Sequence, residues 1–307
     1  MLPGTLQNSN AMRQIFKDQK YNLAFNRDGY VILDGIDSGT IKRMEEFFLV
    51  KSDQEFTGWH SSLELNSPEQ KATIYEFLAP IFDDQISKYL DNYRAIAATF
   101  VSKKSDADSE VRLHRDWAFV NEADYTSLNV WIPLCETDAN NGALTVLKGS
   151  HRIKQNFRGS NIHPGITFSK NLAAKFLTLI PMKPGWILFY DHRLIHGSET
   201  NRSGKPRTAA SISVIPLEST PLHYLRTKTG VVELEVEAGF YHHLHLGTAT
   251  TGDSYTRYSV KTEGYRSRTI EYTNASIDEE DLLRLYEPRV IAALKQFKNK
   301  LKARISF

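Results

Sequence analysis

Apolar residues recur along the chain with two different periods, and the change of period divides it. Between residues 11 and 50 the pattern reads as a helix, a short strand and a second helix. The strand, Tyr30-Val31-Ile32-Leu33, is entered through an Asp28-Gly29 turn signal. Over residues 68–95, Ile74, Phe77, Leu78, Phe82, Ile86 and Leu90 lie at helical spacing, which predicts more helix, kinked or split at Pro80. From about residue 96 to 216 short β-rich runs take over: Ile96 to Val101, Val111 to Trp117, Leu128 to Leu134, Leu144 to Leu147, Leu177 to Pro181, Gly185 to Tyr190 and Arg207 to Pro216. Gly, Asn, Asp and Pro punctuate them, and many short strands between turn signals predict a β-sandwich or barrel.

The chain closes in helix. Ser276 followed by Glu279 forms a capping-box pattern, after which Leu283, Tyr286, Val290, Leu294, Phe297 and Leu301 recur at helical spacing, with a kink or split expected at Pro288. Lys295, Lys298, Lys300 and Lys302 read as a solvated helix face whose cations suit a C-terminal dipole. No repeat, low-complexity tract or linker interrupts the pattern. The simplest division of residues 1–307 is therefore one domain: a helical N-terminal flank over about 11–95, a β core over about 96–216, an insert over about 217–275 and C-terminal helices over about 276–304.

Composition narrows the classes without choosing among enzymes. Lys plus Arg is 38 against 36 for Asp plus Glu, a net charge of +2, so the basic excess of a nucleic-acid face is missing and no nucleic-acid partner is expected. No apolar run approaches the ~20 residues that span a bilayer. Residues Met1 to Asn10 lack the basic-then-apolar order of a secretory leader, so a soluble cytoplasmic protein with no membrane partner is expected. Cys135 is the only cysteine, which excludes an internal disulfide and a cysteine-rich zinc site. Oligomeric state stays open between monomer and homodimer.

The chemistry concentrates at Leu113-His114-Arg115-Asp116-Trp117. On a strand, alternate side chains share a face, so His114 and Asp116 would project together, about 6.5–7 Å apart at Cα, and could meet at one ion. By itself His-x-Asp is a weak motif. A third ligand must come from elsewhere, and His196, 80 residues after Asp116, is the leading candidate, with His192 as competitor. Two histidines and one carboxylate on one face of an octahedron are the ligand set of non-haem iron(II) oxygenases, which leaves positions open for a 2-oxo acid and O2. After a polar loop comes Arg207-Thr208-Ala209-Ala210-Ser211-Ile212-Ser213-Val214, whose alternation puts Arg207, Ala209, Ser211 and Ser213 on one face and Ile212 and Val214 on the other. An arginine facing a cavity beside small residues needs an anion, because an unpaired buried charge is costly, and a carboxylate suits its planar fork.

Three pieces together resemble the phytanoyl-CoA dioxygenase (PhyH-like) family of iron(II) and 2-oxoglutarate oxygenases. They are His114-x-Asp116; the stretch from Trp131-Ile132-Pro133-Leu134 through Asn141-Gly142-Ala143-Leu144 to Gly149-Ser150-His151; and His196-x-Ser198 with Arg207 eleven residues after His196. The opening Phe25-Asn26-Arg27-Asp28-Gly29-Tyr30-Val31-Ile32 is similar too, so the resemblance covers roughly residues 20–216. It implies a mainly β fold, a double-stranded β-helix (jelly-roll) core with flanking α-helices. It also implies Fe(II), 2-oxoglutarate and O2 as cofactor and co-substrates, with Arg207 pairing the distal carboxylate of 2-oxoglutarate and Ser198 and Trp131 lining that pocket. The family spacing to Arg207 favours His196 over His192, and His151 reads as part of its loop. Relatives that halogenate replace the acid of His-x-Asp with a small residue. The presence of Asp116 therefore implies hydroxylation, or another oxidation without halide, of a small-molecule substrate.

The substrate itself is poorly marked. Two stretches are expected to shape its pocket: Phe56 to Ser61, loop-like, with Trp59 and His60, and Gly239 to His245, with His242, His243 and His245 read as polar contacts on an exposed strand. Arg257, Tyr258 and Arg266 lie near the second. Two other classes remain open here, a zinc hydrolase using the same three ligands and a non-catalytic jelly-roll binding protein.

Overall fold

The structure, a computed structural model, describes residues 13–51, 56–153, 157–162, 165–227, 230–237, 239–243, 264–271 and 276–288. The first half contains α1 (Gln19–Asp28), β1 (Tyr30–Asp34), α2 (Ser38–Lys51), β2 (Trp59–Ser61), α3 (Pro68–Tyr89), β3 (Tyr93–Lys103), β4 (Val111–His114), β5 (Leu128–Pro133) and β6 (Leu144–Leu147). The second contains α4 (Lys170–Ala174), β7 (Leu177–Ile180), β8 (Trp186–Asp191), β9 (His196–Ser198), β10 (Arg207–Pro216), β11 (Leu222–Thr227), β12 (Gly230–Glu235), α5 (Phe240–His243), β13 (Ser267–Ile270) and α6 (Glu279–Tyr286). The strands form a six-stranded sheet in the order β1-β8-β5-β10-β3-β2, a four-stranded sheet β4-β9-β6-β7, and a three-stranded sheet β11-β12-β13. All paired strands are antiparallel, and the first two sheets enclose a cavity as the walls of a jelly roll.

Strict alternation in the large sheet explains both of its faces. Ala98 and Phe100 of β3, Val130 and Ile132 of β5, Phe189 of β8, and Ala210, Ile212 and Val214 of β10 are buried in one core with Ile74, Leu78, Phe82 and Ile86 of α3. Their odd or even neighbours (Thr99, Val101, Asn129, Trp131, Tyr190, Arg207, Ser211, Ser213) line the cavity on the other side. The expected face of β10 is thus observed. A one-residue register slip would exchange the layers, so burial of the apolar face on α3 is what aims the polar face inward.

Three local expectations need correction, and one strand gains its partner. α3 is neither broken nor divided at Pro80; the exposed ring sits on the solvent side, and the apolar stripe packed on the sheet outweighs the ~3 kcal/mol of a mid-helix proline. β1 forms where the short strand was expected and makes the edge of the large sheet beside β8, entered through Gly29, whose left-handed φ of 84° closes α1. The capping box of α6 is made by Asp278 and Asp281, two residues beyond the pair expected, because the chain enters the helix at Glu279. The stretch Phe56–Ser61, expected as loop, contains β2 paired with β3. Val290, Leu294, Phe297, Leu301 and the four lysines from Lys295 to Lys302 lie outside the described residues. Among those described, no helix is long and apolar enough to cross a membrane.

Candidate metal and co-substrate site

β4 stops at His114, so Asp116 reaches the site from the coil beyond the strand rather than from alternation along it. What holds it there is Arg158, whose Nε donates to the Asp116 carbonyl at 2.6 Å while its guanidinium pairs with Glu122. β4 and β9 run side by side with His114 opposite His196. One ligand atom each from His114, Asp116 and His196 can be chosen so that all lie within 4.8 Å of one another. Asp116 Oδ1 is 3.5 Å from His114 Nε2 and 3.7 Å from His196 Nε2.

Protonation suits a ligand set. His114 Nδ1 donates to the Arg112 carbonyl and His196 Nδ1 to the Leu194 carbonyl, both at 2.9 Å. A carbonyl only accepts, so each Nδ1 carries its proton and each Nε2 lone pair is left for an ion. Burial pushes His196 down to about 4, against the opposing pull of Asp116, and so keeps it neutral. Burial by itself would raise Asp116, yet the histidines, His196 foremost, hold its carboxyl well below the usual carboxylate range. His114 is raised, the facing Asp116 carboxylate outweighing desolvation and favouring a proton at Nε2 that a bound ion would displace. Two imidazoles and an ionised carboxylate are hard and borderline donors that suit a divalent first-row ion, and the three could hold one.

The competitor His192 does not join them. It is fully buried against Phe119, with Nδ1 2.9 Å from Ser127 Oγ, and desolvation takes it down to about 4. His151 is likewise buried in the turn Ser150–Arg152, away from the triad. Two residues that the sequence did not flag tie the triad to the large sheet. Asn129 Nδ2 donates to Tyr190 Oη at 2.9 Å and, at 3.4 Å, to Asp116 Oδ2, and Ser211 donates to Asn129 Oδ1. Asn129 was recoverable in principle, since it stands two residues before Trp131 on the same strand face.

A cavity of about 990 Å³ contains the triad and also Arg207, Trp131 and Ser198. Arg207 is 3% exposed, and its Nε and Nη1 have no hydrogen-bond partner. Its guanidinium lies 5.5 Å from the centre of the Trp131 ring, and desolvation lowers it to about 10. A desolvated cation with open donors is a receptor for an anion such as a carboxylate. Beside it Lys103, also buried, spends its ammonium on the carbonyls of Ser198 and Glu199 and is pushed down to about 7 by desolvation, with Arg207 adding to the shift.

Residues 25–209 match the model of the family described as phytanoyl-CoA dioxygenase (PhyH). This chain belongs to that family. Family members are iron(II)- and 2-oxoglutarate-dependent oxygenases, a class of oxidoreductase, and the His–Asp–His group of this chain could hold a metal ion. An Arabidopsis thaliana protein named phytanoyl-CoA dioxygenase is 33% identical over 122 residues, covering 38% of this chain and 42% of that protein, so the match spans under half of the relative's length. Among solved structures, the epimerase SnoN in complex with Fe3+, alpha-ketoglutarate and nogalamycin RO aligns with 18% identity and a TM-score of 0.49, covering 66% of this chain and 85% of that one. HygX from Streptomyces hygroscopicus, with nickel and 2-oxoglutarate bound, aligns with 15% identity and a TM-score of 0.45, covering 66% and 88%.

The expected substrate contacts of this family member are only partly brought together. Trp59 lines the cavity. His60 instead packs beside Phe56 with Nδ1 3.7 Å from Glu64, and burial lowers it. His242 and His243 lie on the short helix α5 rather than a strand, and His242 packs against Tyr75 of α3. Arg266 is on the surface with Glu235. His245, Arg257 and Tyr258 lie outside the described residues.

Proposed function

We propose that the protein is an Fe(II)/2-oxoglutarate-dependent dioxygenase that hydroxylates an unactivated C–H bond of a small molecule, releasing succinate and CO2. The observation that carries this reading is the sharing of one cavity by the triad and a buried arginine with two open donors. A zinc hydrolase would have no use for that arginine, and a passive jelly roll would need neither feature.

His114, Asp116 and His196 would hold the metal, and Arg207 would take the distal carboxylate of 2-oxoglutarate, with Ser198 and Trp131 shaping the wall beside it. When bound, iron(II) and 2-oxoglutarate supply the power to activate O2 and oxidise the substrate. The chain itself provides orientation and dryness. The Nδ1–carbonyl bonds fix both imidazoles in the tautomer that presents Nε2, and Arg158 and Asn129 fix the position of Asp116. Trp131 covers one face of the guanidinium, which keeps water from taking the anion's place. Asp116 stands where halogenating relatives carry a small residue, so hydroxylation, or another oxidation without halide, is the reading preferred over halogenation.

The test is anaerobic loading of purified protein with Fe(II) and 2-oxoglutarate, followed by O2 and quantification of succinate. Succinate that requires both ligands is expected. Zinc-dependent hydrolysis without succinate would overturn the assignment. Once a substrate is in hand, mass spectrometry in high chloride should show an oxygenated product; a chlorinated main product would remove Asp116 from the metal.

A further inference from the structure

The charged groups of the cavity wall are held by partners or, for Arg112, by solvent, and one carboxylate stands beside no lysine or arginine among the described residues. Arg158 is paired with Glu122, and Lys170 bridges Glu110 and Glu199. Arg115 donates to the carbonyls of Ser150 and Ile153, and Arg112 is exposed. On the reading above, a divalent ion, Asp116, a doubly ionised 2-oxo acid and Arg207 together carry no net charge. Glu64 is left over. It lines the cavity, its side chain is 42% exposed, and the one basic group in range among the described residues is His60 at 3.7 Å, which burial favours in the neutral form.

Register places Glu64 away from the arginine. Trp59 of β2 is opposite Lys103, which is itself opposite Arg207, and Ser61 is opposite Val101, so the chain moves away from Arg207 as it approaches Glu64. The next turn, Ser62–Glu64, is tied to Thr99 through the Ser61 and Ser62 hydroxyls. Thr99 is opposite Ser211, which bonds Asn129 beside the metal ligands. Glu64 therefore stands beyond the 2-oxo-acid end, at the level where a substrate would meet the triad. Aromatic wall comes with it: Trp117, Phe119 and Trp59 line the same cavity.

We propose that Glu64 anchors an organic cation, so that the substrate of this enzyme carries an ammonium or guanidinium group held between this carboxylate and the aromatic wall. A carboxylate with no lysine or arginine beside it among the described residues supplies a charge-assisted contact, and ring faces attract a cation most strongly where water is thinned out. Desolvation pushes the Glu64 carboxyl up to about 7, and a cation beside it would favour the ionised form. Orientation follows: the cation at Glu64 fixes one end of the molecule and leaves a carbon distant from the charge before the metal.

The inference rests on the oxygenase reading for its charge balance, but its test does not require turnover. Choline and its uncharged isostere 3,3-dimethylbutan-1-ol are titrated into the full chain loaded with Ni(II) and 2-oxoglutarate, and into the unloaded chain, with tryptophan fluorescence as readout. Choline is expected to bind about tenfold tighter than the alcohol, the factor carried by about 1.4 kcal/mol. Glu64→Gln should remove that preference while keeping alcohol binding and the affinity for Ni(II) and 2-oxoglutarate; Glu64→Asp should keep the preference. Equal binding of the two probes, or a preference that survives in Glu64→Gln, overturns the proposal. Failure of 2-oxoglutarate to bind the Ni(II) form overturns the oxygenase reading instead, and the preference of the unloaded chain then decides Glu64 separately.

Discussion

The two ends of the cavity solve opposite electrostatic problems. At one end, Asp116 is compensated from within the protein: His114 and His196 face it, Asn129 donates to it, and Arg158 grips its carbonyl. At the other end, Arg207 is desolvated with two donors open and only the Trp131 ring against its face. The first end is organised before any ligand arrives, whereas the second is an unmet demand that an anion must answer. A preorganised ligand set and an open receptor should therefore fail in different ways when altered.

The largest effect is expected at the organised end. Replacing His114, Asp116 or His196 by Ala should weaken metal binding by more than the ~100-fold that loss of a supporting partner costs, with turnover lost. The fold should survive, since Leu113 and Ile195, the neighbours of His114 and His196 in sequence, pack into a core with α4 and α6, and Arg158 holds the Asp116 backbone. Equilibrium dialysis with iron and circular dichroism check both parts. His192→Ala should retain the metal; retention in His196→Ala but not in His192→Ala would exchange their roles.

At the open end, Arg207→Ala should raise the KM for 2-oxoglutarate by roughly 30-fold to over 1,000-fold, as loss of a buried charged contact worth about 2–5 kcal/mol implies. Arg207→Lys should recover part of this, because a point charge cannot reproduce the fork. An unchanged dependence on 2-oxoglutarate in both variants would end this role for the arginine and the comparison with it.

A smaller effect should come from the residues that hold Asp116 without touching a ligand. Arg158→Lys or Glu122→Gln should loosen the carbonyl grip and lower metal affinity by about 10- to 100-fold. The KM for 2-oxoglutarate in metal-saturated enzyme should stay the same. If 2-oxoglutarate binding shifted and metal affinity did not, the two ends would not be separable.

The smallest effect is on stability against pH. His192 and His223 are buried, and desolvation lowers them to about 4 and about 3. A depressed histidine contributes stability above its unfolded value of about 6.5, and this is lost as pH falls toward the folded value, because the unfolded chain binds the proton first. Each should add up to about 1.4 kcal/mol per pH unit to the loss between about pH 6.5 and 4. Urea midpoints across that window measure it. His223→Gln should make the slope shallower; an unaltered slope would mean that His223 is not held neutral.

Much of this protein was legible from residue order alone. Alternation along Arg207–Pro216 separated a cavity face from a core face, because a strand has a period of two whatever it packs against. His114, Asp116, His196 and Arg207 stood out by type and spacing, because the metal ligation and carboxylate recognition proposed for them accept few side chains, and one cavity is lined by all four. Tertiary structure decided the rest. Asp116 lies past the end of β4, and the approach of Arg158 and Asn129 explains why it still faces the histidines. Tyr190 and Asn129 meet the triad because β5 pairs with β8, a contact that local sequence does not encode. The choice of His196 over His192 rested on the spacing to Arg207 that the resemblance implies, and the fold supplies its physical reason. Both are buried, but β9 sets His196 opposite His114, while His192 turns toward Ser127 and Phe119. Glu64 was silent in the sequence for a related reason: a carboxylate becomes notable only when the charges around it have been assigned to others, and that is a property of the closed cavity.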